Sequence, residues 1–406
     1  MNLSGSGSLP GDGTGAESSI FLVAGEASGD LHGSNLVKAI KRMQPGIDFM
    51  GIGGPMMMEA GVRILVPSSD MAVVGFTEVF RKIPLILGAL GKVKRALESR
   101  RPSLLVLIDY PDFNLHVARY ARRRQIPVLY FISPQVWAWR TGRVRTIARR
   151  VDSMAVILPF ERDFYMAHGI PVTYVGHPLL DVCPAVRDRK EAAGLMGVEA
   201  GGPVIGLLPG SRAEEIRNLM PDMVGAVRML LGRYPSLRCL LPLAPSVSEN
   251  FVSSFIPGDL PIEIHRNDIY TLLNACDAAM VTSGTATLEA ALMETPMVIA
   301  YRVSELSYVV GKMVIKARTI GLANLVAGEK CFTELIQHQV TPEALYREIV
   351  TILEDSVARS RMLGALSEVR RNLGDKGASE RTAALALEMT RPENGEGTAM
   401  LKIVKR

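Results

Sequence analysis

The 406-residue chain predicts an α/β protein built from two doubly wound, Rossmann-like domains that face a cleft. Short β-branched apolar runs alternate with longer helical patterns along the chain, the signature of parallel βαβ units. The length exceeds what one core supports, so two domains of roughly 150–200 residues are expected. Two apolar runs also lead directly into tight glycine turns and helix starts. These are Gly206-Leu207-Leu208-Pro209-Gly210-Ser211-Arg212 and Thr282-Ser283-Gly284-Thr285-Ala286-Thr287-Leu288-Glu289.

Strands are expected at Ile20–Ala24, Leu104–Ile108, Val128–Ile132, Met154–Leu158 and Val172–Val175 in the first half. Helices at Gly33–Met43, Ile83–Ser99 and Leu115–Arg124 fill the gaps. The second half repeats the pattern, with strands at Val204–Leu208, Leu237–Leu241, Ile262–Ile264, Ala278–Val281 and Met297–Ala300. Its helices are Glu214–Arg233, Ile269–Ala275 and Thr285–Met293, and three more close the chain at Pro342–Glu354, Val357–Leu373 and Ala378–Thr390. The division reads as a Gly- and Ser-rich flexible tail (1–18), a first domain (19–178), a second domain (179–375) and a last helix with a polar tail (376–406) that is free to pack back on the first domain. The junction falls at Gly176-His177-Pro178, where His177 reads as a hinge residue able to hydrogen-bond a ligand.

Composition narrows the function classes. With 48% hydrophobic and 21% charged residues the chain is globular with ample core. No apolar run approaches the ~18 residues that cross a bilayer, and no basic start followed by an apolar stretch marks a signal peptide. Cys183, Cys239, Cys276 and Cys331 stand far apart, as reduced structural thiols rather than a zinc site. The net charge of +5 is concentrated in the first half, around Arg81–Arg101 and Arg119–Arg150. Such a face suits a nucleic acid, an anionic membrane or a phosphorylated substrate. With 6% aromatic residues and no nucleic-acid motif, nucleic acid is disfavoured.

The two glycine turns carry the strongest chemical signal. A strand–turn–helix of this kind points backbone N–H groups outward, where the helix dipole favours an anion. Two of them in one domain suit a nucleotide diphosphate, with Arg212 on phosphate oxygens and Glu289 on ribose hydroxyls. The alternative is a pair of ordinary capped turns. Gly51-Ile52-Gly53-Gly54 lacks the third glycine and the later acid of a dinucleotide fingerprint, so hydride transfer is disfavoured.

Three segments of the first half add candidates. In Ala24-Gly25-Glu26-Ala27-Ser28-Gly29-Asp30, Asp30 is either a helix N-cap or part of a glycine-lined substrate floor, and Glu26 is free to hold hydroxyls or an amide. Asp109 ends the apolar run Leu104–Ile108, so it reaches the crevice at the carboxyl end of a buried strand. Desolvation there raises a carboxyl toward the range of a general base, against the alternative of an Asp that organises the loop before Pro111. Asp112 and Asn114 read as local caps. Trp137 and Trp139, the two tryptophans of the chain, lie in Ile132–Arg140 and suit either a sugar ring or acyl chain, or core packing.

Taken together, AGEASGD, Gly51–Pro55, IDYPDFN, SPQVWAWR, LPFE, VGHPLLD, LLPGSR, TSGTATLEA and LANLVAG resemble the lipid-A-disaccharide synthases in identity and order, from about Ile20 to Leu373. The resemblance implies the GT-B glycosyltransferase architecture and an inverting, metal-independent transfer with no cofactor. It implies UDP-2,3-diacylglucosamine as donor, 2,3-diacylglucosamine 1-phosphate as acceptor, a β-1,6 disaccharide 1-phosphate and UDP as products, and a place in the cytoplasm, peripheral to the inner membrane. Asp109, Arg212 and Glu26 match its catalytic positions. Gly210, Ser211, Ser283, Gly284, Thr285, Glu289, Asn324, Arg302, Ser28, Trp137 and Trp139 are the expected substrate and nucleotide contacts. A homodimer stays open. The competing readings are another UDP-sugar transferase or epimerase on the same scaffold, and a non-catalytic lipid or nucleotide carrier.

The segment Val79–Arg95 sets an apolar centre between basic clusters. It reads either as a core helix with a solvated face or as an interfacial element meeting acyl chains and anionic headgroups.

Overall fold

A computed structural model describes residues 18–71, 76–139, 141–198, 201–266, 268–305, 308 and 319–391. The expected tails at residues 1–17 and 392–406, together with Arg140, lie outside the described residues.

Seven parallel strands form the first sheet: β1 (Ser19–Ala24), β2 (Asp48–Gly53), β3 (Arg63–Pro67), β4 (Leu104–Ile108), β5 (Val128–Phe131), β6 (Ser153–Val156) and β7 (Val172–Tyr174). Their spatial order is β3-β2-β1-β4-β5-β6-β7. Six more make the second: β8 (Val204–Leu208), β9 (Arg238–Leu243), β10 (Ile262–Arg266), β11 (Ala278–Thr282), β12 (Met297–Tyr301) and β13 (Glu334–Ile336), in the order β10-β9-β8-β11-β12-β13. The strand order therefore reverses between β1 and β4 and again between β8 and β11. Ligands of open α/β sheets bind outside the carboxyl ends of the strands at such reversals.

Helices cover both faces, which is why strands such as β4 are buried throughout. In the first half, Phe21, Val23, Leu105 and Leu107 pack with Val117, Ala121 and Leu97 on one side. On the other, Leu22, Val106 and Ile108 meet Leu36 and Ile40 of helix Ala27–Met43. Ala383, Ala386 and Leu387 join that second cluster, so helix Ala378–Thr390 returns to the first sheet. Polar bonds fix the return: Tyr174 Oη donates to the Leu373 carbonyl (2.6 Å), Arg381 Nε to Val175 (2.8 Å), and the Gly377 amide to Asp181 Oδ1 (2.6 Å).

Three strands, β2, β3 and β13, were not expected. Gly51 and Gly53 lie in β2. Gly51 is required there because a Cβ would stand 1.8 Å from the Leu22 carbonyl oxygen on β1. Helix Ala27–Met43 starts six residues before the expected Gly33, because Asp30 does not cap it. Asp30 lies inside its first turn and accepts the amides of Gly54 (2.7 Å), Met56 (3.0 Å) and Met57 (3.0 Å). A buried carboxylate with three donors thus caps the next helix, Pro55–Glu59, and ties β2 to β1.

Candidate active site

The four turns at the two strand reversals carry the expected site residues. Gly25–Ser28 follows β1, Asp109 follows β4, Gly210–Arg212 follows β8, and Ser283–Thr285 follows β11.

At the first reversal, Asp109 and Tyr110 adopt consecutive left-handed conformations (φ 45° and 46°) without being glycine. Each costs on the order of 1–3 kcal/mol, so the surroundings must impose it. The carbonyl of Asp109 accepts from Tyr130 Oη (2.6 Å) and from Asn114 Nδ2 (2.6 Å), which also donates to Ile108. Tyr110 Oη donates to the Met71 carbonyl (3.0 Å). The Tyr110 ring lies over Gly25, where a Cβ would approach it to 2.5 Å, so the β1 and β4 turns touch through a glycine. Asn114 thus organises the loop by donating to its carbonyls from within helix Pro111–Arg123, rather than capping that helix as expected. Asp112 pairs with Arg143.

These bonds fix the backbone of Asp109 and leave its carboxyl to its surroundings. Burial, and secondarily the charge of Glu26, push that carboxyl up to about 6. Glu26 itself is exposed at the N-cap position of helix Ala27–Met43, without a capping bond, and Ser28 is exposed beside it.

At the second reversal, Gly210 sits at φ 121°, where a side chain is disfavoured, and a Cβ would come within 2.3 Å of Glu215 Oε2. The sequence reading left the turn amides free; here Glu215 holds them. Its Oε2 accepts from Ser211 N (3.0 Å) and Arg212 N (3.3 Å), and its Oε1 accepts from Arg212 Nη1 (2.8 Å). Glu215 is the residue that sequence reasoning missed. Its place in the first turn of helix Ala213–Arg233, three residues after Arg212, is the capping-box spacing that signals it. The Arg212 side chain is 75% exposed, so its guanidinium projects from the turn, paired among the described residues with Glu215.

The β11 turn is built on Gly284 (φ 140°), and Thr285 is exposed at the start of helix Thr285–Leu292. Ser283 Oγ donates to the Ile320 carbonyl (2.9 Å), and Thr287 Oγ1 donates back to Gly284 (2.7 Å) and accepts from Ala323 N (3.2 Å). Glu289, one turn further, is largely desolvated, which raises its carboxyl above the usual range.

Two of the expected contacts carry internal hydrogen bonds. Asn324 is 1% exposed and spends its amide internally, donating to Phe332 O (2.9 Å) and Glu334 Oε1 (2.8 Å) while its oxygen accepts from Phe332 N (2.9 Å). Arg302 pairs with Asp222 and donates to the carbonyls of Asn218, Gln337 and Val340, clamping helix Ala213–Arg233 to β12 and its neighbours. The partners of Arg302 lie 35 to 84 residues away in sequence, those of Asn324 only 8 to 10.

Trp137 is half-buried, donates its indole N–H to Glu161 Oε1 (3.2 Å), and meets Phe160 edge-on at 4.9 Å. The side chain of Trp139 lies outside the described part of the structure. His177 is buried and takes the Leu179 amide on Nδ1 (3.2 Å), and burial holds its pKa near 3. A neutral imidazole at the junction is thus a local cap of helix Leu179–Val182.

Comparison with known proteins fits this geometry. Residues 20–389 match the family described as lipid-A-disaccharide synthetase. The lipid-A-disaccharide synthase of Geobacter metallireducens is 48% identical over 378 residues, covering 93% of this chain and 98% of its own. That of Nitrosococcus oceani is 43% identical, covering 92% and 97%. Among solved structures, Acinetobacter baumannii MurG superposes with a TM-score of 0.59 at 15% identity, covering 91% of this chain and 99% of its own. The UDP-GlcNAc 2-epimerase of Neisseria meningitidis bound to UDP-GlcNAc gives 0.58 at 11% identity, with the same coverage. The two structures establish the shared fold, and the sequence relatives establish the kind: this chain belongs to the lipid-A-disaccharide synthetase family, as a glycosyltransferase of GT-B architecture.

Proposed function

We propose that this transferase joins UDP-2,3-diacylglucosamine to 2,3-diacylglucosamine 1-phosphate, with Asp109 as the base. The observation that carries this reading is the Asp109 carboxyl at the first strand reversal, pushed to about 6 and set on an imposed left-handed backbone. Ionised at neutral pH yet more basic than an ordinary carboxylate, it suits removal of a proton from a sugar hydroxyl.

In the transfer, the acceptor 6-hydroxyl attacks the donor's anomeric carbon from the face opposite the diphosphate. The new C–O bond forms as the hydroxyl proton passes to Asp109 and the anomeric C–O bond to UDP breaks. Negative charge gathers on the leaving diphosphate. Arg212 and the amides at the Gly210 and Gly284 turns supply the matching positive field, a contribution of several kcal/mol in transfers of this kind. Diphosphate oxygens would take the place that Glu215 now fills at Ser211 and Arg212. Glu289 would accept from the ribose hydroxyls.

The acyl chains call for an apolar, membrane-facing surface. Leu85 and Leu87 are 51% and 61% exposed on helix Phe76–Arg100, which carries Lys92, Lys94 and Arg95 further along. Among the described residues no helix is long and apolar enough to cross a membrane, so an interfacial contact is the reading this surface supports.

The direct test incubates the purified protein with both acylated sugars and reads disaccharide phosphate by mass spectrometry. Wild type should form it, and Asp109→Asn should not while still binding UDP. Equal turnover by the variant would remove Asp109 as base. A carrier would give no product with either protein.

A further inference from the structure

Beneath the Trp137 segment lies a buried acid that the transfer as described does not use. Glu161, 1% exposed in helix Pro159–Met166, accepts the Trp137 indole N–H on one oxygen (3.2 Å) and the Leu158 amide on the other (3.1 Å). The Ser133 side chain stands beside it and is bonded to the Tyr165 hydroxyl at 2.6 Å. An indole N–H and a backbone amide can only donate. A carboxylate satisfies both with charge-assisted bonds. Protonation removes that charge and sets an O–H on one oxygen, which the Ser133 hydroxyl can accept, so both bonds weaken. Leu158 is held by the buried backbone, while Trp137 sits half-buried on the four-residue helix Val136–Trp139, so the indole is the partner that loosens.

Trp137 and Phe160 pack on an apolar cluster that runs from Leu158 and Leu180 across to Leu208 and Leu288 of the second half. The indole thus stands at the seam between the two sheets, and its loop follows β5, next to the strand that ends in Asp109.

We propose that Glu161 is a positioning residue whose carboxylate fixes the Trp137 indole at this seam, and through it the acceptor side of the cleft. The acceptor part rests on the transferase reading above; the hold on Trp137 does not. Burial drives the Glu161 carboxyl to about 7, against the pull of the Leu158 amide, Trp137 and Ser133 toward the ionised form. The titratable groups facing it are Tyr165 on its own helix and Tyr174 on β7, with Arg381 beyond Tyr174. Both phenols are raised by burial and stay neutral where Glu161 titrates.

The two tryptophans of the chain lie in this one segment, so a Trp139→Phe protein reports Trp137 alone. Its fluorescence, titrated from pH 5 to 9, should show one step near pH 7, and adding Glu161→Gln should remove it. The amide keeps the shape but offers a single accepting oxygen. In the otherwise native chain, Glu161→Gln should raise the acceptor KM about tenfold, the weight of one buried hydrogen bond, and leave the Kd for UDP within about twofold. A flat trace in the Trp139→Phe protein, or a step that survives Glu161→Gln, overturns the hold on Trp137. An acceptor KM unmoved once the step is gone overturns the effect on the cleft. Absence of product from wild type would overturn the transferase reading instead, and the fluorescence arm would still decide the role of Glu161.

Discussion

Glu26 in the β1 turn lies near enough to Asp109 in the β4 turn for its charge to add to burial in keeping the proton on Asp109. The two acids follow separate strands, β1 and β4, whose turns touch where the Tyr110 ring closes over Gly25. Removing one charge should therefore retune the other. In Glu26→Gln the ascending limb of kcat/KM against pH, expected near pH 6 in wild type, should move to lower pH. The move should be less than about one pH unit, since burial is the larger cause and remains. A limb that moves upward would show that Asp109 is not the group being titrated.

Holding that proton costs stability once the pH rises above it. In the folded chain Asp109 keeps its proton to about 6, against the ordinary 3.8 of an unfolded aspartate. Below pH 3.8 both states are protonated and nothing is lost; above about 6 the fold must carry a desolvated charge that the unfolded chain does not. Full expression of that gap corresponds to ~3 kcal/mol, and partial solvation of the carboxyl trims it to about 2 kcal/mol. Asp109→Asn should thus unfold at a higher temperature than wild type at pH 8 and show no such gain at pH 4. Thermal unfolding at the two pH values is the measurement, and a gain equal at both would assign it to something other than the charge.

Which of these features could be read from residues alone follows a physical rule. The strand-ending turns were legible because Gly210 and Gly284 interrupt apolar runs, and Asp109 because it closes a run without a single polar residue. Strand β2 was not, since DFMGIG carries two glycines whose reason is the neighbouring strand: Gly51 makes room for the Leu22 carbonyl. Asp30 read either as a cap for its own helix or as part of a substrate floor, because local spacing cannot show that three amides near residue 55 will converge on it. Arg302 and Asn324 gave no sign of their internal hydrogen bonds for the same reason. Their partners, Asp222 and Glu334, arrive only when the second sheet is assembled. The carry-over by motif was sound for the family; a motif does not say which way a side chain turns.

Arg212 and Glu215 offer a paired test of the diphosphate subsite. Arg212 is 75% exposed, so Arg212→Ala should leave the unfolding temperature unchanged and lower kcat/KM by about 100- to 1000-fold, the range for losing one such donor. Glu215→Gln removes the negative charge from the turn amides while keeping an acceptor for the cap. UDP should bind it severalfold more tightly by calorimetry, because the nucleotide no longer displaces a carboxylate. Weaker binding would mean that Glu215 serves chiefly to aim Arg212.

The exposed leucines on helix Phe76–Arg100 allow the membrane reading to be tested apart from catalysis. Leu85 and Leu87 already face solvent, so replacing them with glutamate disturbs little packing, and circular dichroism should be unchanged. On a bilayer the same changes remove apolar burial and set two negative charges against anionic headgroups, each neighbouring Lys or Arg being worth about 1 kcal/mol of attraction. Wild type should sediment with anionic phosphatidylglycerol vesicles in low salt and leave them as salt rises through a few hundred millimolar, while Leu85→Glu with Leu87→Glu should stay in the supernatant throughout. Release by salt alone, with the double variant sedimenting as wild type does, would make the contact electrostatic and place the apolar face elsewhere.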